Sequence, residues 1–180
     1  MRKRIETIKG SNQREILMDI TFPEKSNDKL VVFSHGFKGF KDWGCFDLIA
    51  QNFAQNGFTF LKFNFSHNGT KVYDPLNFTD LEAFGNNNFS KELSDLGFVL
   101  DWVENNLYLS DISLLGHSRG GGISMLKAGE DKRVIKVISW ASPSNFLNRM
   151  PDERIEIWKE KGVAFVYNGR TKQNMPLYLQ

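Results

Sequence analysis

The segment Asp111–Gly122, DISLLGHSRGGG, is the stretch on which the interpretation of the whole sequence rests. Its first part, Ile112–Leu115, is typical of a short buried strand, and a helix is predicted to follow the glycines. Gly116 and Gly120 lie two residues to either side of Ser118. A serine held on a strained strand-to-helix turn needs such neighbours, because glycine has no Cβ atom and so relieves the backbone crowding. The segment therefore predicts a sharp turn with Ser118 at its tip.

This G-x-S-x-G spacing has a functional and a structural interpretation. In the functional one it is a nucleophile elbow, which exposes the serine hydroxyl and directs the helix N-terminal amides at an oxyanion. In the structural one it is a glycine-rich turn with an incidental serine. The apolar strand before the motif favours the elbow. We therefore predict that Ser118 is a catalytic nucleophile with a φ angle above zero.

A second motif lies upstream of the first. The apolar strand Leu30–Phe33 ends in Ser-His-Gly-Phe, residues 34–37. The two motifs together resemble the α/β-hydrolase superfamily, in which one oxyanion amide follows the nucleophile and another comes from the loop after the third strand. The resemblance implies that the backbone N–H groups of Phe37 and Arg119 form the oxyanion hole. Gly36 would let the backbone approach the substrate, and His35 would brace the loop.

The longer string HGFKGFKDWG, residues 35–44, is similar to serine esterases and to dienelactone-hydrolase-like and acyl-peptidase-like members. The resemblance implies an α/β fold, with a mostly parallel sheet flanked by helices on both faces. It also implies hydrolysis of a small-molecule ester, thioester or amide through an acyl-enzyme on Ser118. Haloperoxidase or lyase chemistry stays an alternative, because one fold hosts several reactions.

Three further side chains are candidates for substrate binding. Lys38 follows the His-Gly pair directly, and Trp43 is either a wall of the pocket or a packing residue under the loop. His67 follows another predicted strand, so it is a substrate contact, a proton shuttle or a residue that braces its loop.

Composition narrows the class of protein. At 180 residues with 41% hydrophobic and 24% charged residues, a single domain with an ordinary core is expected. A net charge of +2 is too small to indicate nucleic acid or an anionic membrane as partner. The sequence shows no signal peptide and no membrane-spanning run. Cys45 is the single cysteine, so no internal disulfide can form, and we expect a cytoplasmic protein. This cysteine and the three histidines lack the spacing of metal ligands, so we expect no metal, and we also expect no cofactor.

The remaining patterns predict the order of elements along the chain. Thr70–Asn88 is predicted to be a long polar loop anchored by Tyr73 and Phe78, followed by a helix that Ser90 caps. Residues Phe146 to Leu179 are assigned to a cap over the pocket. The other predicted elements are a hairpin (Lys3–Lys9 and Glu15–Phe22), a helix (Cys45–Asn56), strands (Phe58–Phe65, Val134–Trp140, Val163–Val166) and a helix (Asp152–Lys161).

The expected catalytic base is missing from the pattern. In this superfamily the order along the chain is serine, acid, histidine. His35, His67 and His117 all precede Ser118. The sequence therefore predicts an N-terminal portion of a longer hydrolase, which lacks the C-terminal strands that carry the acid and the histidine. In this form it is expected to be weak or inactive.

Two consequences follow from that interpretation. The alternative function is a catalytically incomplete, hydrolase-like scaffold that binds a ligand or a partner. In addition, Val134–Trp140 has apolar side chains for both faces but would lie at an open sheet edge, which predicts a homo-oligomer formed through that edge.

Overall fold

A six-stranded mixed sheet forms the centre of the computed structural model, which describes residues 1–146 and 152–180. Strands β3 to β6 run parallel to one another, while β1 and β2 form an antiparallel hairpin at one edge. The strands are β1 (Arg2–Lys9), β2 (Glu15–Phe22), β3 (Lys29–Ser34), β4 (Thr59–Phe63), β5 (Asp111–His117) and β6 (Val134–Trp140), in the spatial order β1-β2-β4-β3-β5-β6.

Helices cover both faces of this sheet, as the sequence predicted. The helices are α1 (Phe46–Gln55), α2 (Leu81–Gly85), α3 (Phe89–Asn106), α4 (Arg119–Glu130) and α5 (Asp152–Lys161). Phe46 and Ala50 of α1 pack on one face, against Phe33 and Phe60. Alternate strand residues point to the other face, where α3 and α4 bury their apolar sides. β3, β4 and β5 are therefore covered on both sides, which explains their continuous apolar character.

A second, two-stranded sheet consists of β7 (Val163–Asn168) and β8 (Gln173–Tyr178), paired antiparallel. Met175 of β8 is fully buried, in a cluster with Phe40, Phe78 and Phe84. This cluster seats the hairpin on the loops that follow β3 and β4. The predicted cap includes this hairpin, but residues 147–151 of the cap lie outside the described residues, and its action as a lid stays a prediction.

Two local predictions were wrong. The helix capped by Ser90 begins earlier, because the Asn88 side chain accepts a hydrogen bond from the Lys91 amide and caps α3. Tyr73 does not anchor the preceding loop, since it is 82% exposed, whereas Phe78 is buried as predicted. That loop also contains the short helix α2, capped by Asp80.

Strand β6 lies at the edge opposite the hairpin, as expected for Val134–Trp140. Its large apolar side chains are exposed, with Ile135 at 51% and Ile138 at 44%. Within residues 1–146 and 152–180, no helix has both the length and the apolar character needed to cross a bilayer.

Candidate active site

Ser118 occupies the sharp turn between β5 and α4. Its backbone has φ 53° and ψ −123°, which confirms the predicted positive φ. A non-glycine residue in this region is strained, and such strain persists only where surrounding contacts hold it. One of those contacts is the hydrogen bond from the Ser118 amide to the Trp140 carbonyl at the end of β6, 2.8 Å long.

Glycine is required on both sides of the serine because backbone approaches from two directions. A Cβ atom at Gly120 would collide with the carbonyl oxygens of Ser34 and His35. One at Gly116 would collide with the backbone of Gly120 and Gly121. The G-x-S-x-G pattern thus records the close packing of α4 against the ends of β3 and β5.

The loop after β3 lies directly beside this turn. β3 and β5 are parallel neighbours with Ser34 opposite Gly116, so both loops leave the sheet at the same edge. A Cβ atom at Gly36 would lie only 3.1 Å from that of Ser118. The amide N–H groups of Phe37 and Arg119 donate to no partner among the described residues. Two amides without an acceptor among the described residues therefore belong to Arg119, which follows the serine, and to Phe37 in the adjacent loop.

His35 holds this loop in place, as predicted. It is buried, and its Nδ1 donates to the Gly36 carbonyl at 2.9 Å while its Nε2 accepts from the Phe65 amide at 3.4 Å. These two bonds require the neutral ring with hydrogen on Nδ1. Burial lowers the pKa of His35 to about 4, so the ring stays neutral at pH 7.

The side chain of Arg119 lies against the ring of Phe37, so these two residues next to Ser118 are in contact. Its Nε donates to Glu92 Oε2 at 2.8 Å, and its guanidinium lies over the rings of Phe37 and Phe89. Glu92 also accepts a hydrogen bond from Asn87. Sequence reasoning missed Glu92, although its position four residues before Leu96 places a carboxylate on the buried face of α3.

A cavity of about 350 Å³ opens over Ser118. Lys38 and Trp43, two of the predicted substrate contacts, line it. Residues of the β7–β8 turn, which lies within the predicted cap, also line it, although none of them was singled out from the sequence. The full lining is Gly36, Phe37, Lys38, Gly39, Trp43, Phe46, His117, Ser118, Asn168, Gly169 and Arg170.

A buried charge cluster fixes the far end of the loop that carries Lys38 and Trp43. Lys62 of β4 is 1% exposed and forms ion pairs with Asp42 and Asp47. Lys41 bonds Asp42 at 2.6 Å and Asp19 at 2.7 Å. Burial alone would raise the pKa of Asp42, but the hydrogen bonds from Lys41 and Lys62 lower it overall, so the carboxylate stays ionised.

Comparison with known proteins identifies the architecture. No protein-family model and no curated protein matches the chain. Solved structures do. A candidate hydrolase from Agrobacterium vitis S4 is 16% identical with a TM-score of 0.76, over 99% of this chain and 69% of that one. The chain has the α/β-hydrolase fold.

Two further structures agree. An alpha-beta serine hydrolase homologue from Coxiella burnetii is 25% identical with a TM-score of 0.64, over 82% of this chain and 66% of that one. A thermostable carboxyl esterase from Bacillus coagulans is 19% identical with a TM-score of 0.71, over 90% and 52%. Across eight of the similar α/β-hydrolase-fold structures, the chain spans 51% to 69% of their length.

His67, the third predicted substrate contact, does not line the cavity over Ser118. It is 2% exposed, and its Nδ1 lies 2.7 Å from Ser66 Oγ, which in turn donates to Asp95. Burial lowers the pKa of His67 to about 4. This geometry favours the alternative in which His67 braces its loop.

Among the described residues, no side chain is hydrogen-bonded to the Ser118 hydroxyl as a catalytic base would be. The Ser118 hydroxyl forms no hydrogen bond with residues 1–146 or 152–180. The His117 ring instead packs on Trp140 and Phe46, with ring centroids 4.8 and 5.8 Å away. Among the described residues, no group of three or more potential metal ligands occurs either.

Proposed function

We propose that the chain carries the nucleophile and oxyanion hole of a serine hydrolase that cleaves an ester, thioester or amide through an acyl-enzyme. One observation carries the proposal. Ser118, strained at φ 53°, lines a cavity beside the amides of Phe37 and Arg119, which donate to no acceptor among the described residues. A structural turn has no need of this combination.

The chemistry follows from the positions of these groups. Ser118 Oγ attacks the substrate carbonyl carbon, a base takes the hydroxyl proton, and the carbonyl oxygen becomes an oxyanion. The Phe37 and Arg119 amides donate to that oxygen, each contributing about 3 to 4 kcal/mol in the transition state. The leaving group departs with the proton, and water then attacks the acyl-serine to release the acid and free Ser118.

The base is the part that the described residues do not supply. A serine hydroxyl without an adjacent base is a weak nucleophile. Oxyanion donors and binding alone retain roughly a thousand- to ten-thousand-fold advantage over water. We therefore expect these 180 residues to act slowly by themselves and to need a base from elsewhere.

Ester hydrolysis is the favoured reaction. The carboxyl esterase of Bacillus coagulans shares the fold over 90% of this chain. An ester alkoxide also leaves without the protonation that an amide nitrogen requires, so a site without its own acid is best suited to activated esters.

Chemical rescue tests the proposal. Hydrolysis of 4-nitrophenyl acetate is measured for the wild type and for Ser118→Ala, with and without added imidazole. We expect a small Ser118-dependent rate that imidazole raises at least about tenfold, because it supplies the missing base. The rate of Ser118→Ala should equal that of imidazole alone.

The alternative scaffold function predicts a different result. If wild type and Ser118→Ala hydrolyse the ester equally at every imidazole concentration, Ser118 is not a nucleophile. A rapid Ser118-dependent rate without imidazole would instead show that a base lies within these 180 residues.

A further inference from the structure

Two cations, and no carboxylate, occur among the described residues that line the cavity over Ser118. Lys38 comes from the loop after β3 and Arg170 from the turn between β7 and β8. No Asp or Glu occurs among the described lining residues. Neither Lys38 nor Arg170 forms an ion pair within residues 1–146 and 152–180. The positive charge in the cavity is therefore uncompensated by the described part of the chain.

Arg170 is held in a way that leaves its donors available. Its guanidinium carbon lies 4.6 Å from the Trp43 ring centroid and 4.7 Å from that of Phe40. The rings attract the guanidinium and restrict its position, although Arg170 is exposed overall, and the group carries five N–H donors. None of these side-chain N–H groups donates to a described residue. A guanidinium held against aromatic rings, with donors that no described residue uses, is suited to bind a carboxylate or a phosphate through two hydrogen bonds.

Lys38 is also fixed near the same space. Its backbone lies in the left-handed region, with φ 56°. Its Nζ donates to the Tyr167 carbonyl at 3.0 Å, which leaves two of the three ammonium hydrogens free. The bond draws the β7–β8 hairpin and the loop after β3 together, so both cations border one cavity.

We propose that the substrate of Ser118 carries an anionic oxygen group, a carboxylate or a phosphate, which Arg170 and Lys38 bind while the reacting carbonyl lies at Ser118. The reaction rests on the proposed hydrolase function, but the anion site does not. A charged group on the substrate compensates the two cations and uses their free donors, which a neutral ester cannot do.

Binding of small probes tests the anion site without any chemistry at Ser118. Benzoate, phenylphosphonate and the neutral benzamide are titrated into the chain and followed by amide chemical shifts. We expect at least one anion to bind about tenfold or more tightly than benzamide, with shifts at the cavity lining. Added sodium chloride should weaken the anions only. Tighter benzoate assigns a carboxylate substrate, and tighter phenylphosphonate assigns a phosphate.

Variants separate anion binding from a purely structural role of the cations. Arg170→Gln should weaken anion binding about tenfold and leave benzamide binding unchanged, and Lys38→Met should act in the same direction. Lys132→Gln is the control, since Lys132 is exposed and does not line the cavity. Circular dichroism of each variant confirms that it is folded.

The proposal is overturned if the anions bind no better than benzamide, or if their affinity survives Arg170→Gln in the folded variant. Hydrolysis of 4-nitrophenyl hydrogen glutarate and 4-nitrophenyl valerate then tests the link to Ser118. Selective anion binding without Ser118-dependent hydrolysis contradicts the hydrolase function alone. Ser118-dependent hydrolysis without anion selectivity contradicts the anion site alone.

Discussion

Nε of Arg119 donates to Oε2 of Glu92 across 2.8 Å, and this ion pair ties α4 to α3 at the residue that follows Ser118. The guanidinium also lies 5.2 Å from the ring centroid of Phe37. One buried carboxylate thus fixes the side chain of one proposed oxyanion residue, Arg119, against the ring of the other, Phe37. Glu92 does not line the cavity, but it positions the side chain of Arg119 beside Ser118.

Replacing Glu92 should destabilise the fold strongly. Glu92→Ala leaves the Arg119 charge partly buried without its partner, which costs about 3 to 5 kcal/mol of unfolding free energy. Glu92→Gln should cost less, because it keeps an acceptor and because burial, which raises the pKa of Glu92, makes the charge itself costly. Urea denaturation measures both, with exposed Glu160→Ala as the control. Equal stability of Glu92→Ala and Glu160→Ala would contradict the assigned role.

The two ends of α4 provide a matched pair of glycine substitutions. Gly120→Ala forces a methyl group into the Ser34 and His35 carbonyls, so the loop after β3 must move. We expect a loss of about 2 to 4 kcal/mol, as for overpacking against rigid backbone. Gly129→Ala meets nothing within 4 Å and should gain about 0.5 to 1 kcal/mol from helix propensity. Thermal denaturation of both variants checks the signs, and a Gly120→Ala variant as stable as wild type would refute the close packing.

Stability should fall on mild acidification because of His35. Burial lowers its pKa to about 4 in the folded state, against 6.5 in the unfolded chain. The unfolded state therefore binds the proton first, and stability that is complete above pH 6.5 is lost as the pH falls towards 4. The loss from this residue is about 3 kcal/mol. Urea denaturation across this range, with the His35 Cε1–H resonance followed by NMR, measures it. A His35 that titrates near pH 6.5 would contradict the prediction.

The open edge at β6 should cause self-association. Ile138 and Trp140 are exposed there, and no described strand pairs with the outer side of β6. Sedimentation velocity should show a mean mass that rises with concentration. Ile138→Lys should reduce it, while Leu48→Lys, which replaces an exposed leucine of α1, should not. A single monomeric species at high concentration would rule this edge contact out.

The features that could be predicted from the sequence are those encoded locally. The elbow was predictable because two glycines and a serine within five residues dictate the turn that holds them. The bracing role of His35 was predictable for the same reason, since it bonds the next residue along the chain. The parallel strands β3, β4 and β5 were recognisable because burial on both faces leaves them continuously apolar.

The features that could not be predicted depend on contacts between distant parts of the chain. Lys38 and Tyr167 are 129 residues apart in sequence, and no local pattern indicates that they meet. Strand β8 was missed because Pro176 interrupts its apolar pattern. In the structure, Pro176 lies within the strand, opposite Phe165 of β7. As a result Arg170, which that hairpin carries to the cavity, was not recognised.

Fluorophosphonate labelling tests most directly whether Ser118 is the nucleophile. Its rate is followed by intact mass spectrometry, and its site is found by peptide mass spectrometry. We predict a single adduct on Ser118 that forms slowly with the 180-residue chain, forms faster with added imidazole and is absent in Ser118→Ala. Cys45→Ser serves as the control for reaction at an unrelated exposed nucleophile and should label as wild type does. An adduct on any other residue, or none on Ser118 at saturating imidazole, would contradict the assignment of Ser118 as the nucleophile.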